Sequence, residues 1–199
     1  MHISIFFEQF DILSINMKPT DISLVEYFQT AGKLKEVVRT GWTRYPINNP
    51  ESVADHSFRT AIMAMTLAPY FDINANKVIK MALIHDIADS IMGDIVTDAG
   101  SYDLPNLKQK EIDEVSTGEK IFDIINAADN KAILTEFINQ ESPEAKFVSQ
   151  LDKLEMAMQA REYEIRDNVN LSDFFVSAKR KISDEQLKSI LDTIININK

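Results

Sequence analysis

Helix-breaking residues are scarce in this chain. Five glycines and six prolines interrupt 199 residues, and the segments between them are rich in Leu, Ile, Met, Ala, Glu and Lys. Such residues lose little side-chain freedom in a helix, so the composition favours helices over sheets. The clearest segment, AKFVSQLDKLEMAMQAREYE, follows Ser142 and Pro143, which read as an N-cap and a first helical proline. Phe147, Leu151, Leu154 and Met158 recur along it at helical spacing and predict one long helix with an apolar face.

The same periodicity predicts the other elements. A first helix is expected from about Asp21 to Val38, capped by Thr20, with Ile22, Val25, Phe28 and Leu34 buried. A second should run from about Ser52 to Ala68, stop before Pro69, and bury Phe58, Ile62 and Met65. A third starts near Asn74 and ends before Gly93, and GDIVTDAGSYDLP follows as a loop. Helices are expected next from about Leu107 to Ile125, carrying Ile112, Val115, Phe122 and Ile125, and from about Lys131 to Asn139. Phe174 and Phe175 fall in a further short helix, and SDEQ at 183–186 reads as a capping box for the last one. There is no internal repeat or long linker, so a single all-α domain over residues 18–199 is expected behind an arm at 1–17.

A chain of this length can bury roughly 70% of its unfolded surface and needs no staples. It has no cysteine, which excludes disulfides and thiol nucleophiles and leaves any metal to His, Asp and Glu. The net charge of −10 argues against nucleic-acid polymers and acidic membranes as partners, while an anionic small substrate requires a local reversal of charge. The apolar start, MHISIFFEQFDILSINM, lacks a basic leader and is interrupted by Glu8 and Asp11. No uninterrupted apolar run approaches ~18 residues, so a soluble, cytoplasmic protein is expected.

Against that background MALIHDIADSIMGDI, residues 81–95, is anomalous. Val78, Met81 and His85 share one helical stripe, and Val78, Ala82 and Asp86 the adjoining one, so a histidine and a carboxylate occupy core positions. Unpaired, they would be costly to bury; one divalent ion above the groove between them would satisfy both. Asp89 projects into the same space one turn later. His56 lies near the start of the second helix, and Asp152 on the shoulder of the long helix's apolar stripe. Alone, each has a plainer explanation: a hydrogen-bonded core histidine, and an ion pair with Lys153. Together, two His and two Asp are a ligand set suited to Mg, Mn, Fe, Co or Zn.

In order and helical context, His56, the pair His85–Asp86 and the distant Asp152 resemble the H…HD…D signature of HD-domain phosphohydrolases. RTGW, PESVADHS, ALIHDIAD, GDI and EAKFVSQLDKLEMAMQAREYE are similar to the 5'-deoxynucleotidase branch, over roughly residues 20–180. The resemblance implies an HD-domain helical bundle, a homodimer, and one divalent metal ion on His56, His85, Asp86 and Asp152. It also implies a deoxyribonucleoside 5'-monophosphate substrate contacted by Arg39 and Trp42, with Asp94 near the attacking water. Thr40 and Gly41 separate Arg39 from Trp42, which are adjacent in related bacterial enzymes, and Asp89 stands where the family usually has glutamate. Plainer roles exist here too: Arg39 offsetting a helix dipole, Trp42 anchoring core, and Asp94 capping an element.

With Asp86 and Asp152 cancelling a divalent ion, Asp89 and Asp94 against Arg39 leave about −1 before a phosphate dianion arrives. One of the two carboxyls is therefore expected to hold a proton and deliver it to the leaving oxygen. The readings left open are a non-catalytic metal- or nucleotide-binding HD protein, suggested by the shorter Asp89, and a hydrolase of another nucleotide phosphoester.

Overall fold

The long helix is the axis of the molecule. The computed structural model describes residues 18–95 and 104–197, with side chains described from 107 in the second stretch. Among them lie nine α-helices: α1 Asp21–Gly32, α2 Val53–Leu67, α3 Ala75–Ile84, α4 Asp89–Met92, α5 Leu104–Asp123, α6 Ala128–Ile138, α7 Pro143–Asp167, α8 Ser172–Lys181 and α9 Glu185–Asn196. Short 3₁₀ turns cover Lys33–Lys35, Thr40–Arg44 and Ala68–Tyr70. Among the described residues there is no strand, only an isolated antiparallel bridge between Val38 and Ser52. The expected all-α class holds, while the arm at 1–17 and most of the predicted loop after Gly93 lie outside the described residues.

α7 opens where the Ser-Pro signal places it: the Ser142 side chain accepts the Ala145 amide hydrogen at 3.1 Å. α2, α3, α6, α8 and α9 all pack on it. Enclosed in this way, α7 buries Val148, Met156, Ala157 and Ala160 besides Phe147, Leu151 and Leu154, and Met158 is left only partly covered. Each fully buried leucine contributes about 1.5–3 kcal/mol of transfer free energy. A smaller cluster, Leu34, Val53, Ile87, Ile121, Phe122 and Leu134, fills the space under α5 and α6. Among the described residues no helix is long and apolar enough to cross a membrane.

The first two predicted helices bury different faces from those expected. α1 ends at Gly32, and Ile22, Val25 and Phe28 are 81%, 55% and 63% exposed, whereas Leu34 is buried in the 3₁₀ turn that follows. On α2 the large stripe Phe58, Ile62 and Met65 faces outward at 65%, 40% and 53% exposure. Its inward face is His56, Thr60, Ala61 and Ala64. α2 is wedged against both α3 and α7, and small side chains permit that approach. Ile112 of α5 is likewise exposed. At the last helix the cap is Asp184, not Ser183: its Oδ1 accepts from the Gln186 and Leu187 amides, and Ser183 turns to Gln150 instead.

The third predicted helix breaks. α3 stops at Ile84, and the next turns tighten to i→i+3 hydrogen bonds, from the Ile87 amide to the Ile84 carbonyl (3.0 Å) and from the Asp89 amide to the Asp86 carbonyl (3.1 Å). Side chains three apart eclipse in that geometry. The break falls on the His-Asp pair.

Candidate metal centre and its cleft

Three separate segments deliver the site. A capping box fixes the start of α2: the Ser52 amide donates to Asp55 Oδ2 at 3.0 Å, and the Asp55 amide to Ser52 Oγ at 3.2 Å. One turn on, His56 is fully buried. His85 caps α3, Asp86 begins the tightened turn, and α7 supplies Asp152.

Their polar atoms converge. His56 Nε2, His85 Nε2 and Asp152 Oδ1 lie within 4.8 Å of one another. All three are buried and make no hydrogen bond. Asp86 Oδ2 joins them, 3.1 Å from His85 Nε2 and 3.8 Å from His56 Nε2. The outer ring nitrogens are already committed: His56 Nδ1 to Glu155, and His85 Nδ1 to the Ala82 carbonyl at 2.8 Å. A ring that donates through Nδ1 presents a lone pair at Nε2, as in the second-shell pattern that orients metal-binding histidines. Three buried atoms that make no hydrogen bond, with only the longer Arg39 ion pair reaching Asp152 Oδ1, fit a divalent cation. All four residues of the predicted ligand set are therefore brought together.

Asp152 also has the plain partner expected for it, since Lys153 Nζ is 3.0 Å from Oδ2 while Oδ1 faces the histidines. Arg39 does not lie at a helix C-terminus. It follows the first 3₁₀ turn, and its guanidinium spans the two aspartates, 3.1 Å from Asp86 and 3.5 Å from Asp152. Asp94 is tied to the same segment: its Oδ2 accepts the Thr40 amide hydrogen at 2.5 Å, capping the turn Thr40–Arg44. Trp42, 1% exposed, stacks on Phe174 at 4.2 Å and meets Tyr163 edge-on, and its indole N–H donates to Glu51 at 3.0 Å. The indole is a fixed part of the wall with its polar atom already used.

These residues line a cleft of about 540 Å³ that runs from Asp86 and Asp152 to Phe174, Ser177 and Arg180 on α8. Arg39, Arg44, Lys110, Lys153 and Arg180 face four carboxylates on its walls, a cationic excess in a chain of net charge −10. The reversal that an anionic ligand demands is present.

Burial by itself would push the Asp86 and Asp152 carboxyls up. For Asp86, His85, Arg39 and His56 reverse this; for Asp152, Lys153, His56 and Arg39 do so, and both are held below the usual carboxylate range. Burial and the Arg39 charge oppose a proton on His56, but Glu155 and Asp152 outweigh them and push it up to about 9. Asp89 goes the other way: burial, then the charges of Asp86 and Asp94, raise it to about 8. Asp89 is 6% exposed and is not among the residues lining the cleft.

Two residues of the site were not singled out in the sequence. Glu155 is fully buried, holds His56 Nδ1 and accepts from Arg59 Nε at 2.8 Å. Its signal is a carboxylate one turn after Asp152, inside the apolar stripe. Glu51 receives the Trp42 N–H, and its own amide donates to the Tyr163 hydroxyl at 2.7 Å, with no sequence pattern to mark it.

A helical bundle that closes two histidines and two aspartates from three segments around one point defines a class, and the comparison agrees with it. The chain belongs to the HD domain family, whose model matches residues 31–194. Among its relatives, 5'-deoxynucleotidase HDDC2 of Danio rerio is 34% identical over 174 residues, covering 86% of each chain. The human protein of that name is 34% identical over 177 residues, covering 86% of this chain and 84% of its own length. 5'-Deoxynucleotidase hdd1 of Schizosaccharomyces pombe is 34% identical over 163 residues, 79% of this chain and 82% of its own. A conserved hypothetical protein from Pyrococcus furiosus superposes with a TM-score of 0.71 at 30% identity, covering 87% of this chain and 99% of that one.

Proposed function

We propose that this protein is a divalent-metal-dependent phosphomonoesterase that hydrolyses deoxyribonucleoside 5'-monophosphates to deoxyribonucleoside and phosphate. The observation that carries the reading is the convergence of three buried metal-donor atoms that make no hydrogen bond, beside a cleft lined by a cationic excess. The substrate class comes from the relatives, which are named 5'-deoxynucleotidases over most of the chain.

His56, His85, Asp86 and Asp152 would hold the metal, which supplies Lewis-acid polarisation of the phosphate and activation of water. Glu155 keeps His56 in the tautomer that ligation needs. Arg39 neutralises phosphate oxygens with its planar fork. Trp42, fixed between Phe174 and Tyr163, gives the sugar a rigid apolar wall. Asp94, on the cleft wall, is assigned to the attacking water, and the proton destined for the leaving oxygen is assigned to the Asp89–Asp94 pair, of which Asp94 lines the cleft and Asp89 has surroundings that favour its neutral form. A homodimer and a cytoplasmic location complete the reading.

The test is metal analysis of the purified protein with phosphate release measured over ribo- and deoxyribonucleoside monophosphates. Release that is selective for deoxy substrates, lost with a chelator and lost in His85→Ala is expected. A protein that binds nucleotide in a His85-dependent way but releases no phosphate with any metal is instead a sensor.

A further inference from the structure

We propose that Lys110 is a second phosphate-binding cation of this cleft, held in position by Glu114. The inference rests on reading the cleft as a phosphomonoester site, and it adds a residue from α5, a helix that supplies none of the assigned ligands.

Lys110 Nζ lies 3.0 Å from Glu114 Oε1, one turn apart, and the two side chains are only 26% and 22% exposed. An i,i+4 pair formed merely to support a helix sits in solvent, where it contributes about 0.2–0.5 kcal/mol. This one is largely covered, and its lysine lines the cleft alongside Arg39, Asp86 and Asp94. The Lys110 charge acts on Asp89, and both Asp86 and Asp89 act on Lys110. Glu114 does not line the cleft, so the ammonium is the charge that a ligand meets.

The other wall cations are less suited. Lys153 is paired with Asp152, itself a member of the predicted ligand set, whereas the partner of Lys110 lies outside the lining; Arg180 belongs to α8. Lys110 also alters the charge balance. With the metal cancelled by Asp86 and Asp152, Asp89 and Asp94 face Arg39 alone and leave the site negative. Lys110 sets a second cation on the wall beside Arg39, with its counter-charge on Glu114 outside the lining. A compact ammonium suits one non-bridging oxygen, while the Arg39 fork takes others.

The experiment is calorimetric titration of the metal-loaded protein with inorganic phosphate, a readout that needs no turnover, beside steady-state kinetics on a deoxyribonucleoside monophosphate. Lys110→Met should weaken phosphate binding about tenfold or more and raise KM, and Lys110→Arg should recover most of both. Glu114→Gln, which removes the partner that positions the ammonium, should weaken phosphate binding less than Lys110→Met does, while lowering the melting temperature. Lys188→Met, on the outer face of α9 and away from the cleft lining, serves as the control. Wild type that binds no phosphate, Lys110→Met that binds as wild type does, or equal losses in Lys110→Met, Lys110→Arg and Glu114→Gln would each overturn the assignment. Lys110-dependent phosphate binding without hydrolysis of any nucleotide would sink the enzyme reading and leave this one standing.

Discussion

Asp89 carries the sharpest test at the residue scale. Its carboxyl is pushed up to about 8 by burial and by Asp86 and Asp94, so a group that donates a proton from it is active below that pH and inactive above it. Turnover should therefore fall on the basic side, as pH rises through the raised titration of Asp89. Asp89→Asn should lower kcat roughly 10²-fold and abolish that limb. An unchanged limb in Asp89→Asn, or near-normal rates in both it and Asp94→Asn, removes the acid role. Glu51 gives a stability counterpart. Burial and the Glu155 charge raise it from 4.5 to about 7, so between those pH values the native state holds a proton that the unfolded chain has lost. Its contribution to stability falls as pH rises through that window and stays low above it. Glu51→Gln keeps the acceptor for Trp42, and in chelator-treated protein it should gain on the order of 2 kcal/mol at pH 8 with almost none at pH 4.5, read by urea denaturation. Equal effects at both pH values would refute this cause.

At the scale of elements, the packing of α5 on α6 turns on one glycine. A Cβ added at Gly118 would meet Leu134 Cδ2 at 2.0 Å, and Leu134 is buried in the smaller core cluster. Gly118→Ala gains about 1 kcal/mol of helix propensity yet should be net destabilising, because overpacking a core costs about 1–3 kcal/mol. The midpoint of urea unfolding should drop with an unchanged slope; a rise would mean that Leu134 yields freely. The break after α3 belongs to this scale too. Periodicity runs straight through residues 75–92, and no glycine or proline announces the tightened turn at His85–Ala88. That turn exists because His85 and Asp86 must both face α2 and α7, and its cause lies in residues far away in sequence.

For the whole molecule, the outward stripe Phe58, Ile62 and Met65 is an apolar face that monomers rarely leave uncovered. The homodimer proposed above should use it. Light scattering on the full chain is expected to give a dimer that Phe58→Asp converts to monomer with its metal content intact. A wild-type monomer, or a dimer indifferent to Phe58→Asp, would defeat that placement.

Composition and local spacing determined what depends on near neighbours: the all-α class, the caps at Thr20 and Ser142, the apolar stripe of α7, and the anomaly of a histidine and an aspartate in a core stripe. These are legible because propensity, capping and periodicity act within a few residues. Which face each helix buries was decided by tertiary packing. On α2, Phe58, Ile62 and Met65 are the larger apolar stripe, yet close approach to α3 and α7 selected Ala61 and Ala64. Glu51, Lys110 and Glu155 stayed hidden for the same reason. Nothing local marks what these side chains face, and only tertiary folding brings Glu51 to Trp42, Glu155 to His56 and Lys110 to the cleft.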